Sequence, residues 1–193
     1  MSNTAENKIY TYADYLAYPE GERIEIIEGH IYNMAAAPSR RHQGIITELA
    51  SEIRNYIKSN KGDCKVYVAP FDVILKNDNE ELTNSKNIIQ PDISVICDKN
   101  KLTDKGCTGS PDMIIEVVSP FNPSSDYVRK LNLYEQFKVR EYWIVSPTKE
   151  TILVYMLDKN TNQYETPESF TFKDTIKVGI YNNLEIDFNS LDL

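Results

Sequence analysis

The chain has 193 residues, of which 41% are apolar, and all aromatic residue types are present. A chain of this size can bury a substantial core, so it is predicted to form a single domain over residues 1–193. The formal charge of −8 and the pI near 4.9 argue against a protein that coats nucleic acid with a basic face. They do not exclude an enzyme that contacts a few phosphates through a metal and a local basic patch.

Targeting and redox features point to a cytoplasmic protein that does not associate with membranes. No apolar run approaches the roughly 20 residues that cross a bilayer, and the start "MSNTAENKIY" lacks the regions of a signal peptide. The three cysteines, Cys64, Cys97 and Cys107, are far apart and form no CxxC pair. They are therefore interpreted as small buried or half-buried thiols rather than as a disulfide framework or a zinc site.

The first predicted elements are a helix, a hairpin and a second helix. The stretch "TYADYLAYPEG" predicts a short helix capped by Thr11, and "RIEIIEGHIYNM" predicts two strands about a turn at Glu28 and Gly29. Apolar residues at helical spacing predict a long helix between Ser39 and Asn60.

The remaining elements interleave strands with one further helix. Strands are predicted in "KVYVAPFDVIL", "IIQPDISVICD", "MIIEVVS", "EYWIVS" and "TILVYML", and in the tail around "YETPESFTFKDTIKV" and "NLEIDF". A helix is predicted from about residue 125 to 138. This order favours an α/β (α+β) fold with a central mixed sheet flanked by helices, preceded by the N-terminal helix and β-hairpin.

Glu116 is a carboxylate inside the apolar run "PDMIIEVVSP". Alternation puts it on one apolar face with Ile114, while Ile115 and Val117 occupy the other, so both faces look covered. An unpaired buried carboxylate is costly and normally neutralises, finds a partner or binds a metal. A structural ion pair or a solvent-exposed strand end is the alternative.

Lys130 is the second unusual charge, because it falls near the centre of the apolar arc of the following helix. Lysines usually reach water, so this placement is rare. Asp126 lies four residues earlier at the margin of the same arc, where it could pair with Lys130, whereas Arg129 lies on the solvated side.

Asp92 opens the neighbouring apolar strand in "PDISV", directly after a proline. Carboxylates from two neighbouring strands would give Mg²⁺ the hard oxygen ligands it prefers. A nearby lysine could orient the attacking water or neutralise charge on phosphorus, as in metal-assisted phosphodiester hydrolysis.

The blocks "RIEIIEGHIYNM", "PSRRHQG", "PDISVICD", "PDMIIEVVSP" and "DYVRKLNLYEQFKVREYWIVSP" occur in an order that resembles the Uma-two family of "putative restriction endonucleases". This family, once a domain of unknown function, lies within the PD-(D/E)XK nuclease superfamily. The resemblance covers about residues 10–157, so the C-terminal strands would be an elaboration. It implies a restriction-endonuclease-like core and Mg²⁺-dependent cleavage of DNA, with Mn²⁺ as a substitute metal.

The resemblance also implies roles for particular residues. Asp92 and Glu116 match the metal-binding acidic residues, and Lys130 matches a catalytic lysine that the family carries on the helix. Glu25 and His42 match supporting residues.

This sequence also departs from the wider patterns. Val118 occupies the position where the superfamily keeps its lysine, and Ser146 occupies the family's usual acidic position after "YWIV".

Ordinary surface positions remain alternatives for four of these residues. Glu25 alternates with isoleucines and could face solvent, and His42 could be exposed in the first turn of its helix. Arg40 and Arg41 oppose the helix dipole there, which would suit a docked phosphate or two solvated side chains.

Three functions follow from these observations. The first is a Mg²⁺-dependent DNA endonuclease in which Asp92, Glu116 and Lys130 are catalytic, with Glu25, His42 and Asp126 in support. DNA binding would be weak or partner-dependent, and a homodimer is expected because enzymes that cut both strands commonly pair two sites. The alternatives are a non-catalytic binding or partner module of the same fold, and a metal-free hydrolase that uses the carboxylate pair as acid and base.

Overall fold

The computed structural model describes residues 8–19, 21–34, 38–118 and 124–193, without the side chains of residues 124–126. Three α-helices lie within these ranges: α1 (Tyr12–Leu16), α2 (Arg40–Ser59) and α3 (Ser124–Gln136). Single 3-10 turns lie at Leu82–Asn84, Lys99–Lys101 and Phe188–Ser190. None of the helices in the described ranges is long and apolar enough to span a bilayer.

Fourteen short strands within the same ranges form two six-stranded sheets and a two-stranded ribbon. In chain order they are β1 (Ile24–Ile27), β2 (His30–Asn33), β3 (Lys65–Val68), β4 (Asp72–Ile74), β5 (Ile88–Ile89), β6 (Ile93–Ile96), β7 (Leu102–Thr103), β8 (Gly106–Thr108), β9 (Met113–Val117), β10 (Glu141–Ser146), β11 (Thr151–Met156), β12 (Glu168–Thr171), β13 (Thr175–Lys177) and β14 (Glu185–Asp187).

The main sheet has the strand order β12-β11-β10-β9-β6-β3. Its neighbours pair antiparallel except β9 and β10, which run parallel. Parallel neighbours need a crossover, and α3 supplies it between β9 and β10. The sheet is therefore mixed, as the order of predicted elements indicated.

Helices cover the main sheet on both faces. Ile115 and Val117 of β9 pack in one core with the apolar side of α2 and with the ribbon β13-β14. Ile114, on the opposite face, packs with Leu133 and Tyr134 of α3. Two-sided burial explains why β9 is apolar at nearly every position, and it makes Glu116 the exception.

The side sheet has the order β2-β1-β5-β4-β8-β7 and was not expected from the sequence. One of its faces packs with α3, through residues such as Ile27 and Val73. The other face packs against α1, where Tyr12 contacts Ile24 and Ile26. Every residue of β1 is consequently buried.

The segment "IIQPDISVICD", predicted as one strand, is divided between the two sheets. Its first part is β5 in the side sheet, and its second part is β6 in the main sheet. The break falls at Gln90 and Pro91, where proline has no N–H to continue a ladder.

The N-terminal helix, the hairpin and the long helix are confirmed. Thr11 is the N-cap of α1, and Ser39 caps α2 by accepting a hydrogen bond from the backbone N–H of His42 at 3.2 Å. The turn between β1 and β2 places Glu28 at φ 52° and Gly29 at φ 79°, which fits the primed turns of tight hairpins.

The prediction of three free thiols is wrong. Cys64 and Cys97 form a disulfide, and Cys107 is the free, buried cysteine. Lys65 of β3 pairs with Ile96 of β6, so the two cysteines flank that pair. Sequence spacing did not reveal the bridge because the antiparallel ladder, not the chain, brings the cysteines together.

Candidate functional site

The two predicted acidic residues lie side by side at one end of the main sheet. Ile93 of β6 pairs with Ile115 of β9, so the same register extended by one residue places Asp92 opposite Glu116. The backbone N–H of Val117 donates to Asp92 Oδ2 at 2.8 Å. Residues opposite each other in a ladder share a face, which brings the two carboxylates close together.

Lys130 joins this pair from α3. It is only 8% exposed, and its Nζ lies 3.0 Å from Glu116 Oε1 and 3.0 Å from Glu25 Oε1. Both contacts are hydrogen bonds as well as ion pairs. The lysine predicted on the apolar side of the helix is therefore buried, and two carboxylates offset the cost of burying its charge.

Glu25 belongs to the same cluster, so the alternative of a solvent-facing position does not hold. Its strand β1 is covered on both faces, and the face it shares with Ile27 lies toward α3. Glu25 Oε1 also accepts a hydrogen bond from the backbone N–H of Gln90 at 2.9 Å. Simple alternation with isoleucines could not distinguish this two-sided burial from an exposed strand face.

Sequence reasoning missed Tyr134 and Gln90. The hydroxyl of Tyr134 donates to Glu116 Oε1 at 2.7 Å, and burial raises the pKa of Tyr134 well above its usual range, which keeps it protonated. Tyr134 lies four residues after Lys130, on the same helix face. That spacing, and the place of Gln90 directly before "PD", were the only indications available.

Burial raises the pKa of Glu116 to about 7. Lys130 opposes this shift, whereas the charges of Asp92 and Glu25 add to it. Glu116 thus lies near one ammonium group and two other carboxylates. Carboxylates outnumber the lysine in this cluster, and a bound cation would offset the excess negative charge.

His42 reaches Asp92 from the first turn of α2. Its side chain is 13% exposed, and Nε2 lies 3.3 Å from Asp92 Oδ2. Burial lowers the pKa of His42, but the hydrogen bond and charge of Asp92 outweigh that effect and raise it overall. Nδ1 is buried without a partner among the described residues. The alternative of a surface position for His42 therefore does not hold, whereas its supporting role stays a prediction.

Other predicted positions lie outside the cluster. The Asp126 side chain falls outside the described residues. Arg40 is exposed, whereas Arg41 pairs with Glu150 at 2.7 Å. The Ser146 hydroxyl accepts from the Lys149 backbone N–H at 3.4 Å, in the turn after β10.

Arg129 also differs from expectation. It was assigned to the solvated side of the helix, but it is half-buried, and its guanidinium lies 4.2 Å from the ring centre of Tyr32. The helix projection could not anticipate this contact because it ignores the side sheet, whose strand β2 carries Tyr32.

The donor set of the cluster is compatible with Mg²⁺. Asp92 Oδ1 and Glu116 Oε2 accept no hydrogen bond within the part of the chain that the structure describes. In that part, no three His, Cys, Asp or Glu side chains are grouped so as to hold a metal ion. Mg²⁺ needs only one or two protein carboxylates, with water and substrate phosphate completing its shell. The two acidic residues therefore suffice for such a site.

Comparison with known proteins gives three findings. The model of the Uma2 family, described as "Putative restriction endonuclease", matches residues 12–189. An uncharacterised protein of Synechocystis sp. is 28% identical over 145 residues, which cover 74% of this chain and 71% of that protein. A crystal structure from Anabaena variabilis, described as a "putative nuclease belonging to DUF820", has a TM-score of 0.73 at 20% identity, over 93% of this chain and 95% of the other.

These comparisons bear on the fold and on the extent of the family region. The structural likeness confirms the restriction-endonuclease-like fold expected from the sequence. The family match reaches residue 189, beyond the region 10–157 in which the resemblance was recognised. The C-terminal strands are thus part of the family region.

Proposed function

This chain belongs to the Uma2 family, described as "Putative restriction endonuclease", and from that premise we propose that it is a Mg²⁺-dependent DNA endonuclease that hydrolyses phosphodiester bonds. The observation that carries the proposal is the position of Lys130. Its ammonium group is buried beside a carboxylate pair, at 3.0 Å from Glu116. An arrangement of this kind combines metal ligands with a fixed positive charge for a phosphate.

In this proposal Asp92 and Glu116 would hold the metal, because each keeps one carboxylate oxygen that accepts no hydrogen bond from the described residues. Bound Mg²⁺ would supply Lewis-acid stabilisation of the charge that develops on phosphorus and would activate the attacking water. Asp92 is held in place by the Val117 N–H and by His42. The hydroxyl of Tyr134 fixes the Glu116 carboxylate.

Lys130 orients the attacking water or stabilises charge on the phosphate. Glu25 serves as its positioning residue, because Glu25 is itself fixed by the backbone N–H of Gln90. A lysine held by two carboxylates keeps one orientation, which lowers the reorganisation cost during reaction. A supporting role for Asp126 remains part of the prediction.

DNA binding is expected to be weak or to need a partner, since the formal charge of −8 repels the phosphate backbone. We also propose a homodimer, which would bring two sites to the two strands. Sedimentation of the free protein and of its DNA complex measures this directly.

The test is nicking of supercoiled plasmid by purified protein in Mg²⁺, in Mn²⁺ and in EDTA. The proposal expects nicking with either metal, its abolition by EDTA, and its loss in Asp92→Asn. Activity that survives EDTA would instead support a metal-free hydrolase using the carboxylate pair.

A non-catalytic module is the second candidate, and a specific observation favours it. Lys130 already has two carboxylate partners, so the cluster could be a closed structural ion network. Calorimetric titration with Mn²⁺ separates the two functions. A closed network shows no specific metal site, whereas the nuclease shows one that depends on Asp92.

A further inference from the structure

A cavity lies next to the ion cluster, on the side sheet. It has a volume of about 460 Å³, within the range of roughly 300–1,000 Å³ for small-molecule sites. Its wall includes the aromatic rings of Tyr67 and Phe71, beside Tyr15, and polar residues: Asp72, Gln90, Thr103, Asp104 and Lys105. The roles proposed so far for the acidic cluster do not use this cavity.

The aromatic wall is suited to a flat ring. Tyr67 and Phe71 stack with ring centres 4.2 Å apart and planes only 4° apart. Both side chains are half-buried, so part of each remains accessible from the surface. Stacking on such a platform is how proteins commonly hold the bases of unpaired nucleic acid.

The polar wall offers a fixed hydrogen-bond acceptor. Asp72 Oδ1 accepts from the Tyr15 hydroxyl at 2.9 Å and from Gln90 Nε2 at 2.8 Å. Asp72 Oδ2 accepts no hydrogen bond within the described residues, so it is available to a ligand. A carboxylate oxygen in this position selects a base that donates from an exocyclic amino group.

The cavity is connected to the ion cluster through two short links. Gln90 uses its backbone N–H for Glu25 and its side-chain amide for Asp72. Ala69, two residues before Phe71, donates its N–H to the Asp92 carbonyl at 3.1 Å. A ligand in the cavity would therefore lie close to the carboxylate pair.

We propose that this cavity is a subsite for one nucleobase of an unpaired nucleotide of DNA, with a preference for a base that carries an exocyclic amino group. The inference rests on the proposed function and adds a substrate class to it, namely single-stranded or extrahelical DNA. Lys105, an exposed cation at the cavity wall, suits the adjoining phosphate.

The test measures fluorescence anisotropy of labelled oligo-dC and oligo-dT of equal length, in EDTA and at low salt so that nothing is cleaved. Cytosine and thymine are similar in size, but only cytosine presents an amino group. Wild-type protein is expected to bind oligo-dC more tightly than oligo-dT. Phe71→Leu, which removes the ring but keeps an apolar side chain, should weaken binding of both probes by about 5- to 100-fold.

Asp72→Asn is more specific than Phe71→Leu, because it should change the preference between the two probes and not only the affinity for both. The Tyr15 and Gln90 donors hold the remaining oxygen, so the new amide nitrogen takes the place of Oδ2 and donates instead of accepting. The preference should shift from oligo-dC toward oligo-dT, while the exposed control Asp78→Asn keeps the wild-type ratio. If Phe71→Leu does not fold, this ratio alone decides.

Three results would overturn the proposal: no binding of either probe by wild-type protein, a dC-to-dT ratio that Asp72→Asn leaves unchanged, or an equal shift in Asp78→Asn. Plasmid nicking separates failure of the nucleobase subsite from failure of the proposed endonuclease function. Nicking without base preference removes the subsite alone, whereas base preference without nicking removes the endonuclease and keeps the subsite.

Discussion

Glu116 makes the stability of the folded protein depend on pH. Its pKa is about 7 in the folded protein, against 4.5 ordinarily, chiefly because it is buried. A group whose pKa is raised on folding stabilises the protein fully below its unfolded pKa, and this stabilisation is lost as pH rises through the folded pKa. For Glu116 the loss falls between pH 4.5 and about 7.

Glu116→Gln should remove that pH dependence from the metal-free protein. The amide keeps an acceptor for Tyr134 and is never charged, so stability at pH 8 should equal or exceed the wild type, by up to about 3 kcal/mol. Urea unfolding in EDTA across the pH range measures it, with the exposed Glu52→Gln as control. A free energy of unfolding below that of the wild type at pH 8 would indicate a structural ion pair with Lys130.

Asp92→Asn should leave the fold intact and weaken Mn²⁺ binding at least about tenfold, since it removes one charged ligand of two. Asparagine can still accept the hydrogen bond from the Val117 N–H. Calorimetry and thermal melting of this variant check both parts, beside the exposed control Asp78→Asn. Unchanged affinity would exclude Asp92 as a ligand.

At the scale of elements, a charged residue within an apolar face could be recognised from the sequence. The burial of a strand on both of its faces could not. Glu116 and Lys130 were identifiable because each breaks an apolar face of its own strand or helix. Glu25 was ambiguous because alternation describes one strand and not the layers that cover it. Tyr134 fits its apolar arc, so only its spacing from Lys130 indicated a role.

The disulfide was unpredictable for a related reason. Cys64 and Cys97 are 33 residues apart in sequence, and only the pairing of β3 with β6 brings them together. Spacing rules recognise local motifs such as CxxC, whereas a ladder contact depends on the sheet order, which the sequence left open.

Replacing both bridged cysteines by alanine should lower the free energy of unfolding by about 3 kcal/mol, through the greater entropy of the unbridged denatured chain. Urea unfolding under non-reducing conditions measures it. Alkylation of the denatured, unreduced wild type should modify Cys107 alone. Labelling of all three cysteines would show that the bridge does not form.

At the scale of the whole molecule, one buried carboxylate ties the C-terminal ribbon to the main sheet. Glu141 is fully buried and accepts hydrogen bonds from Trp143 Nε1 and from the backbone N–H groups of Gly179 and Ile180. The ribbon also shares a core with α2. We therefore propose that the chain unfolds as one domain.

Glu141→Ala should destabilise the protein by about 3 kcal/mol or more, because it leaves buried donors without acceptors. Glu141→Gln keeps one acceptor oxygen and should cost less. Chemical unfolding followed by both tryptophan fluorescence and circular dichroism tests cooperativity. Transitions that separate in the wild type would contradict a single folding unit.

Lys130→Met tests the central claim most directly. Methionine fits the buried position but leaves Glu25 and Glu116 without their ammonium partner, so the account predicts a lower melting temperature in EDTA. At a temperature where the variant is folded, it predicts retained Mn²⁺ affinity and plasmid nicking reduced by about 10² to 10³. Lys58→Met, at an exposed lysine of α2, is the matched control and should nick like the wild type. Wild-type nicking by Lys130→Met, or an equal loss in Lys58→Met, would contradict a catalytic lysine on α3.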